Sequence, residues 1–249
     1  AGYDVTNLER FGLMIRNSEN AAYNYHKQMV SSGNAWSTSD GQQMLWDAER
    51  TPVTMIAYAP YMSEAAPDAS LVVNALTNQT TEENVKSSDF LLMKATVDPE
   101  QDLTADGKLK ISLSHAMSKL LIKITVNGTT DAAMNKLGDM SINGAVVNGI
   151  CDLSATVPIV VPAPDAVVAT VAPYKGTESC ECILPPQKIV EGFSVNFSYD
   201  GKLYIWTAKE AIELEKGVEH TLTLNVNTTV RLAAKMARNW ATGQLIDRN

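Results

Sequence analysis

Residues 193–206, Phe-Ser-Val-Asn-Phe-Ser-Tyr-Asp-Gly-Lys-Leu-Tyr-Ile-Trp, are the stretch that decides the fold class. Apolar and polar residues alternate strictly up to Tyr199, which is the pattern of a β-strand with one buried face. Asp200-Gly201 follows, a dipeptide that accepts the positive φ angles of a two-residue hairpin turn. Residues 203–206 return as the partner strand. The stretch therefore predicts a β-hairpin packed on a core.

The segment from Lys108 to Val126 contains two strand patterns that are out of phase. The apolar residues occupy odd positions at first and even positions afterwards: Leu109, Ile111 and Leu113, then Leu120, Ile122, Ile124 and Val126. The phase changes within residues 115–119. A single continuous strand would turn its apolar face to solvent beyond that point, because side chains alternate between the faces of a sheet. The sequence therefore predicts a β-bulge here, or a strand that passes from one sheet to another.

Most of the remaining chain is also a series of short apolar runs between polar loops. Residues 11–15, 53–59 and 89–95 are such runs, and residues 220–226 alternate again. Many short strands separated by turns are typical of sandwiches and barrels rather than βαβ units. We therefore expect an all-β fold.

The polar segment 98–107 contains Pro99, ends in Asp-Gly and is the predicted linker. It divides the chain into residues 1–107 and 108–249, each long enough for one β-sandwich domain. Helical composition is confined to two segments, residues 132–137 and residues 231–240. The first predicts one short turn, and the second is compatible with a helix because it is rich in Leu, Ala, Lys, Met and Arg.

The charge balance excludes several classes of partner. The formal net charge is −8, from 20 basic and 28 acidic residues, and the pI is about 4.9. A nucleic-acid-binding protein needs a basic face, and no stretch supplies one. The same charge opposes adsorption to an anionic membrane, and no run reaches the ~18 apolar residues of a membrane span.

The three cysteines, Cys151, Cys180 and Cys182, cannot all pair within the chain because their number is odd. Two of them lie two residues apart in an alternating segment, where a disulfide between neighbours would be strained. The C-x-C spacing differs from a redox motif, and no cluster of His or Cys completes a zinc site. We predict three small buried residues. A bridge from Cys151 to either of the other two is the alternative.

No pattern of a catalytic centre is present. The sequence contains no Gly-rich phosphate loop, no G-x-S-x-G elbow and no H-E-x-x-H helix. The acid pairs Glu82-Glu83 and Glu213/Glu215 lie in polar, turn-like contexts, which favours solvated charges over hydrolytic carboxylates. We therefore expect a non-enzymatic protein that needs no metal or cofactor.

The histidines and the large aromatic residues are dispersed along the chain. We interpret the histidines as packed or hydrogen-bonded side chains rather than metal ligands: His26, His115 and His220. The aromatic residues would either anchor the core or form a platform on which sugars stack: Trp36, Trp46, Tyr58, Tyr61, Trp206 and Trp240. Their dispersal favours core anchoring.

Eight short motifs together carry a family resemblance. In chain order they lie at residues 11–15, 44–46, 53–61, 88–95, 113–120, 183–187, 217–224 and 239–243. One of them is Leu-Ser-His-Ala-Met-Ser-Lys-Leu at 113–120, and no single motif is decisive. In their joint order the motifs resemble the fimbrillin-like pilins of the Bacteroidales, also called type V pilins. Two positions differ from the family pattern. Leu113 stands where the family has an aromatic residue, and Ala59 stands where it has a tyrosine. Both replacements are apolar and suit packing.

The resemblance implies two tandem transthyretin-like (Ig-like) β-sandwich domains in a structural subunit of a cell-surface pilus or fimbria. It also implies export as a lipoprotein precursor and an outer-membrane-associated location, in which the precursor contacts the membrane only through its lipid anchor. It further implies that a leading strand is removed by cleavage after an Arg. A start at Ala1 fits that cleavage and equally fits an artificial boundary.

The implied partners are other pilin subunits, in a homo- or hetero-polymer, with host or bacterial surface ligands as further candidates. The alternative role within the same fold is a tip adhesin or a surface glycan-binding lipoprotein.

The resemblance further implies that subunits join by strand exchange, in which the C-terminal segment of one subunit fills a groove in its neighbour. A sandwich that lacks a strand exposes an apolar groove and unpaired backbone groups, and a donated strand satisfies both. The candidate donor residues lie after Val226: Val230, Leu232, Trp240, Leu245 and Ile246. The alternative is a tail that folds back on its own chain.

Overall fold

The structure is a computed structural model of the 249-residue chain. It describes residues 2–4, 6–33, 35–128, 134–227, 232–238 and 244–246. Of the predicted donor residues, Val230 and Trp240 lie outside these ranges. No helix in these ranges is long and apolar enough to cross a membrane.

The described elements are almost all strands. Up to residue 126 they are β1 (Arg10–Arg16), β2 (Tyr25–Ser32), β3 (Ala35–Thr38), β4 (Val53–Ala59), β5 (Ser70–Asn74), α1 (Glu82–Ser87), β6 (Leu91–Val97), β7 (Ile111–His115) and β8 (Ser118–Val126). The following elements are β9 (Leu137–Val146), β10 (Asn148–Asp152), β11 (Val160–Pro162), β12 (Val168–Val171), β13 (Tyr174–Lys175), β14 (Cys180–Leu184) and β15 (Gln187–Ile189). The last are β16 (Ser194–Tyr199), β17 (Lys202–Thr207), β18 (Ile212–Leu214), β19 (Glu219–Val226), β20 (Leu232–Arg238) and β21 (Gln244–Ile246). Single 3₁₀ turns lie at Ala21–Tyr23 and Met134–Lys136.

The strands form five sheets, and the all-β prediction is confirmed. The largest has seven strands in the order β21-β7-β6-β4-β1-β2-β3. A five-stranded sheet has the order β13-β14-β8-β19-β20, and a four-stranded sheet the order β12-β9-β16-β17. The smaller sheets are β11-β10-β5 and β15-β18. Among the strands described here, pairing is antiparallel except between β8 and β19, which run parallel, and an isolated parallel bridge joins Asn78 and Ala172.

Two features of the sequence analysis are confirmed directly. The hairpin of β16 and β17 turns through Asp200 and Gly201, whose φ angles are +50° and +76°, as a two-residue turn of this type requires. The phase change between residues 108 and 126 marks a strand that changes sheets. β7 belongs to the seven-stranded sheet and β8 to the five-stranded sheet, so each apolar face stays buried.

The central strand β4 of the seven-stranded sheet is buried on both faces, and for this reason it is an almost continuous apolar run. Ile56 and Tyr58 join a large hydrophobic cluster that extends through the second half of the chain. Met55 and Ala57 join a smaller cluster on the opposite face, together with Phe11 and other residues of β1 and β7. The sheet therefore lies between two layers of apolar side chains.

Several contacts join the two halves of the chain. β5 pairs with β10, so residues from both sides of the predicted linker share one small sheet. Lys94 on β6 donates to the carbonyls of Leu153, Ser154 and Ala155 at 2.8, 3.3 and 2.8 Å. These contacts join residues on both sides of the predicted boundary, and the division into domains 1–107 and 108–249 stays a prediction.

Buried Gln79 also joins the halves, because its amide pairs with the backbone as a strand residue would. Its Oε1 accepts from Ile183 N at 2.8 Å, and its Nε2 donates to Ile183 O at 2.8 Å and Leu76 O at 2.9 Å. The side chain thus occupies a pairing position on β14 and satisfies backbone groups that would otherwise be buried without partners.

Replacing Gln79 with Leu is expected to lower the free energy of unfolding by about 2–4 kcal/mol, because the buried N–H and C=O groups of Ile183 on β14 lose their partner, and Leu76 O loses a donor. Urea unfolding followed by circular dichroism measures the change. Gln43→Leu is the matched control at an exposed position, and it should leave the unfolding midpoint almost unchanged. Equal midpoints for the two variants would contradict this account of Gln79.

Two local expectations were wrong. Residues 232–238 form strand β20 rather than a helix, because pairing with β19 along its length outweighs helix propensity. Residues 82–87 form helix α1 rather than a loop. The signal for α1 was Thr81, whose hydroxyl accepts from Asn84 N, followed by acidic residues in the first turn.

Candidate assembly site

An apolar groove opens on the face of the seven-stranded sheet that carries the smaller hydrophobic cluster. Its volume is about 720 Å³. The floor is formed by β1, with Phe11, Leu13 and Ile15. We call this cavity the acceptor groove.

Both ends of the sheet contribute to the acceptor groove. Ala35 and Trp36 come from β3 at one end, and Ile111 comes from β7 near the other. The loop between β6 and β7 also lines the groove, through residues 103–104 and 106–110. The two ends of the sheet and this loop therefore enclose one cavity over the smaller hydrophobic cluster.

The rim of the groove is polar, and its charged side chains have hydrogen-bonding partners. At one end, buried Asp47 accepts from Asn17 Nδ2 at 2.8 Å and Thr51 Oγ1 at 2.6 Å, and these hydrogen bonds lower the pKa of its carboxyl group. At the other end, Asp106 lies 2.8 Å from Lys108 Nζ. Hydrogen bonds from Lys108 and then Thr104 lower the pKa of Asp106 to about 2. An apolar floor with a polar rim suits an extended, mainly apolar peptide segment.

The C-terminal tail, residues 228–249, has two strands on the edges of two sheets. β21 pairs antiparallel with β7, with Leu245 opposite Ser112 and Ile246 opposite Ile111. This pairing lies beside the acceptor groove, because Ile111 also lines it. β20 pairs antiparallel with β19, with Leu232 opposite Val226. Three of the predicted donor residues thus lie in strands that extend existing sheets within the same chain.

Sequence reasoning identified the tail but not the acceptor groove. The sequence signal for the groove is the odd-numbered apolar set of β1, which repeats with a period of two. That signal predicts a buried face without showing that two distant strands meet around it.

The motif at residues 113–120 spans the crossing between the two largest sheets and anchors both. Leu113 is fully buried in the smaller cluster. His115 Nδ1 lies 2.9 Å from Asp89 Oδ2 in a buried hydrogen bond, and Asp89 Oδ2 also accepts from Tyr3 N at 2.9 Å. Lys119 lies at the start of β8. The motif therefore fixes the relative position of β7, whose edge carries β21, and β8.

Lys119 is held by two carboxylates from the neighbouring strands. Its Nζ lies 3.1 Å from Glu181 Oε2 on β14 and 3.1 Å from Glu219 Oε2 on β19. The side chains of Lys119, Glu181 and Glu219 are only 12%, 10% and 20% exposed. Burial alone would lower the pKa of Lys119, but the two carboxylates outweigh it and raise the pKa.

The other two histidines also have hydrogen-bonding partners, as predicted. His26 Nε2 lies 2.7 Å from Tyr58 Oη, and burial lowers its pKa. His220 Nε2 accepts from Glu215 N at 3.0 Å. Within the described ranges, no group of three or more His, Cys, Asp or Glu side chains is arranged to hold a metal ion.

All three cysteines are free and buried, so the predicted small buried residues are confirmed. Burial raises the pKa of Cys151 and of Cys180 to about 11, and it raises the pKa of Cys182 further above its usual value. Thiols with such pKa values carry little thiolate at neutral pH and are poor nucleophiles.

The aromatic residues act as packing anchors. Trp36 meets Phe11 edge to face with centroids 4.9 Å apart, and Trp206 meets Phe193 in the same way at 6.2 Å. Tyr58 is fully buried and donates to Met62 O at 2.8 Å. Trp46 packs against the smaller cluster and Tyr61 against the large one.

Comparison with known proteins gives one family match. A sequence profile described as fimbrillin-like matches residues 4–239. No curated protein sequence matches the chain.

Several solved structures share the fold. A candidate cell adhesion protein from Bacteroides uniformis superposes with a TM-score of 0.73 and 16% identity, over 96% of this chain and 94% of that one. Another from Bacteroides ovatus gives a TM-score of 0.69 and 17% identity, over 94% and 87% of the two chains. The tip fimbrial protein Mfa3 from Porphyromonas gingivalis, with a C-terminal truncation, gives 0.56 and 9%, over 96% and 97%. The likeness at these identities establishes a common β-sandwich fold.

Proposed function

This chain belongs to the fimbrillin-like family, and from that premise we propose that it is a structural subunit of a cell-surface fimbria that polymerises by donor-strand exchange. A fimbrial or adhesive role at the cell surface follows from the family and from the similar proteins. The observation that supports the finer proposal is the tail strand β21, which pairs with β7 beside the acceptor groove.

Strand exchange uses the same edges that the tail occupies within one chain. A tail paired with its own β19 and β7 closes the subunit, and the pairing satisfies the backbone groups of both edges. The same tail paired with a neighbour satisfies the same groups and links two subunits, as in domain swapping. Because each subunit both donates and accepts, the arrangement is head-to-tail and propagates into a fibre.

The remaining parts of the proposal follow the resemblance to type V pilins. We propose that the precursor is exported as an outer-membrane lipoprotein, that residues 1–107 and 108–249 act as tandem sandwich domains, and that other pilin subunits are the partners. The alternative role, at a fibre tip in contact with a surface ligand, stays a prediction.

A cross-link placed in the β7–β21 pair tests the proposal. The variant Ser112→Cys/Leu245→Cys places cysteines at two backbone positions that are directly opposite in the ladder. If the tail is donated between subunits, oxidised fibres should give a ladder of subunit multiples on non-reducing gels. Oxidised fibres that release only cross-linked monomers would show that the tail stays within its own chain.

The matched control is Ser70→Cys/Asp152→Cys, an opposed pair in the β5–β10 ladder of one subunit. This pair should cross-link within the chain and give monomers from the same fibres. The native cysteines are buried and should contribute little to either pattern.

A further inference from the structure

β17 is an edge strand with an exposed apolar face. Among the described residues it pairs only with β16. Leu203 and Ile205 are 85% and 69% exposed. Their direct partners on β16 are the polar residues Ser198 and Asn196, so the two aliphatic side chains gain no apolar cross-strand contact. Such an edge is a template for pairing with another strand.

The turn geometry shows which backbone groups of β17 face outward. A two-residue turn closes the hairpin at the hydrogen-bonded pair Tyr199–Lys202. Hydrogen-bonded and non-hydrogen-bonded pairs alternate along an antiparallel ladder, so Leu203 and Ile205 occupy non-hydrogen-bonded positions toward β16. The N–H and C=O groups of Leu203 and Ile205 therefore point to the free edge of the sheet. These are the same two residues whose side chains are exposed.

We propose that β17 is a lateral contact between copies of this chain, in which two β17 strands pair antiparallel about a two-fold axis at Tyr204. In this register Leu203 of each copy lies opposite Ile205 of the other. The two pairs can exchange four backbone hydrogen bonds, and the four aliphatic side chains cover one another on the outer face.

The neighbouring residues select this register over the adjacent ones. It places Lys202 opposite Trp206 of the second copy, where a cation–π contact is favourable. A two-fold axis at Ile205 would keep Ile205 against Ile205 but set Leu203 against Thr207. An axis at Leu203 would keep Leu203 against Leu203 but set Ile205 against Gly201. Of these three registers, only the one centred on Tyr204 gives both aliphatic residues an aliphatic partner, so β17 is complementary to itself.

The contact is small, and it becomes effective when repeated. One pair of six-residue strands buries less surface than a stable dimer needs. A fibre presents the same edge on every subunit, so that weak contacts between two fibres add through effective concentration. The inference thus goes beyond assembly of one fibre to the bundling of fibres.

Cysteine mixing tests the register on the full-length chain. Leu203→Cys protein mixed with Ile205→Cys protein should give roughly tenfold more cross-linked dimer on mild oxidation than either protein alone, because only the mixed pair is directly opposed. Equal yields in all three samples, or no dimer in any, would overturn the proposal. This measurement does not depend on fibre formation.

Charge substitution tests the bundling. In fibres of Leu203→Lys/Ile205→Lys, lateral association seen by electron microscopy should be lost, while the ladder from the Ser112–Leu245 cross-link should persist. The matched control is Val167→Lys/Val168→Lys, which adds the same charges at two exposed aliphatic residues elsewhere and should leave bundling intact. Bundling that survives in the first variant, or is lost equally in both, would exclude β17 as the contact. Loss of the ladder itself would instead count against the proposed strand exchange.

Discussion

A chain shortened by residues 228–249 is expected to form no fibres while remaining folded. The deletion removes β20 and β21 and so removes the donated segment. All described members of the two hydrophobic clusters precede position 228, so both cores should survive. Electron microscopy counts the fibres, and circular dichroism with thermal unfolding reports the fold. Normal fibres from the shortened chain would contradict strand exchange through the tail.

Mixing the shortened chain with the full-length chain makes the test more specific. A shortened subunit keeps its acceptor edges β19 and β7 but cannot donate, so it should cap a growing fibre. Fibre length should therefore fall as its fraction rises. Ser112 N–H donates to Met93 on β6, so the neighbouring residue Ile111 directs its N–H to the other edge, where the tail pairs. The matched control is therefore the shortened chain with Ile111→Pro, which removes that N–H and weakens pairing between β7 and the tail. If this control shortened fibres equally, capping through β7 would be excluded.

Replacing Lys119 with Met is expected to lower the free energy of unfolding by about 3–5 kcal/mol, because two mostly buried carboxylates lose their common partner. Glu181 and Glu219 then oppose each other across the space that the ammonium group occupied. Urea unfolding at neutral pH measures the loss. The triple variant Lys119→Met/Glu181→Gln/Glu219→Gln should recover more than half of it, since no uncompensated buried charge remains.

An exposed pair provides the control. Lys108 Nζ lies 2.8 Å from Asp106, closer than Lys119 lies to either carboxylate, but both partners are largely in solvent. Lys108→Met should change stability little, because water and salt screen exposed pairs. Equal destabilisation by the two substitutions would show that burial does not govern the strength of these pairs.

The Lys119 contribution also has a defined pH dependence. The pKa of Lys119 is raised in the folded protein, so the folded state binds its proton more tightly than the unfolded state does. The stabilisation is therefore complete below the unfolded pKa of about 10.4, and it is lost as the pH rises through the higher folded value. Wild-type stability should fall more steeply above that pH than the stability of the triple variant.

Local patterns in the sequence were sufficient for several of the strands and for some of their connections. Alternation at residues 193–199 and the Asp-Gly turn predicted the hairpin of β16 and β17, since both depend on backbone geometry within a few residues. The phase change at 115–119 predicted a break that the structure shows as a change of sheet. The acidic charge predicts, without any structure, that nucleic acid is not a partner.

Long-range pairing decided what local patterns left open. Residues 232–238 have a helix-favouring composition, yet they form a strand because β19 offers a free edge along their whole length. The acceptor groove exists because β1, β3, the loop between β6 and β7 and the start of β7 meet around one cavity. Lys119 finds its carboxylates on strands that are distant in sequence. Periodicity and turn chemistry act over neighbouring residues, so they can be recognised directly in the sequence. Sheet edges, grooves and buried ion pairs depend on which strands become neighbours, and only the tertiary structure determines that.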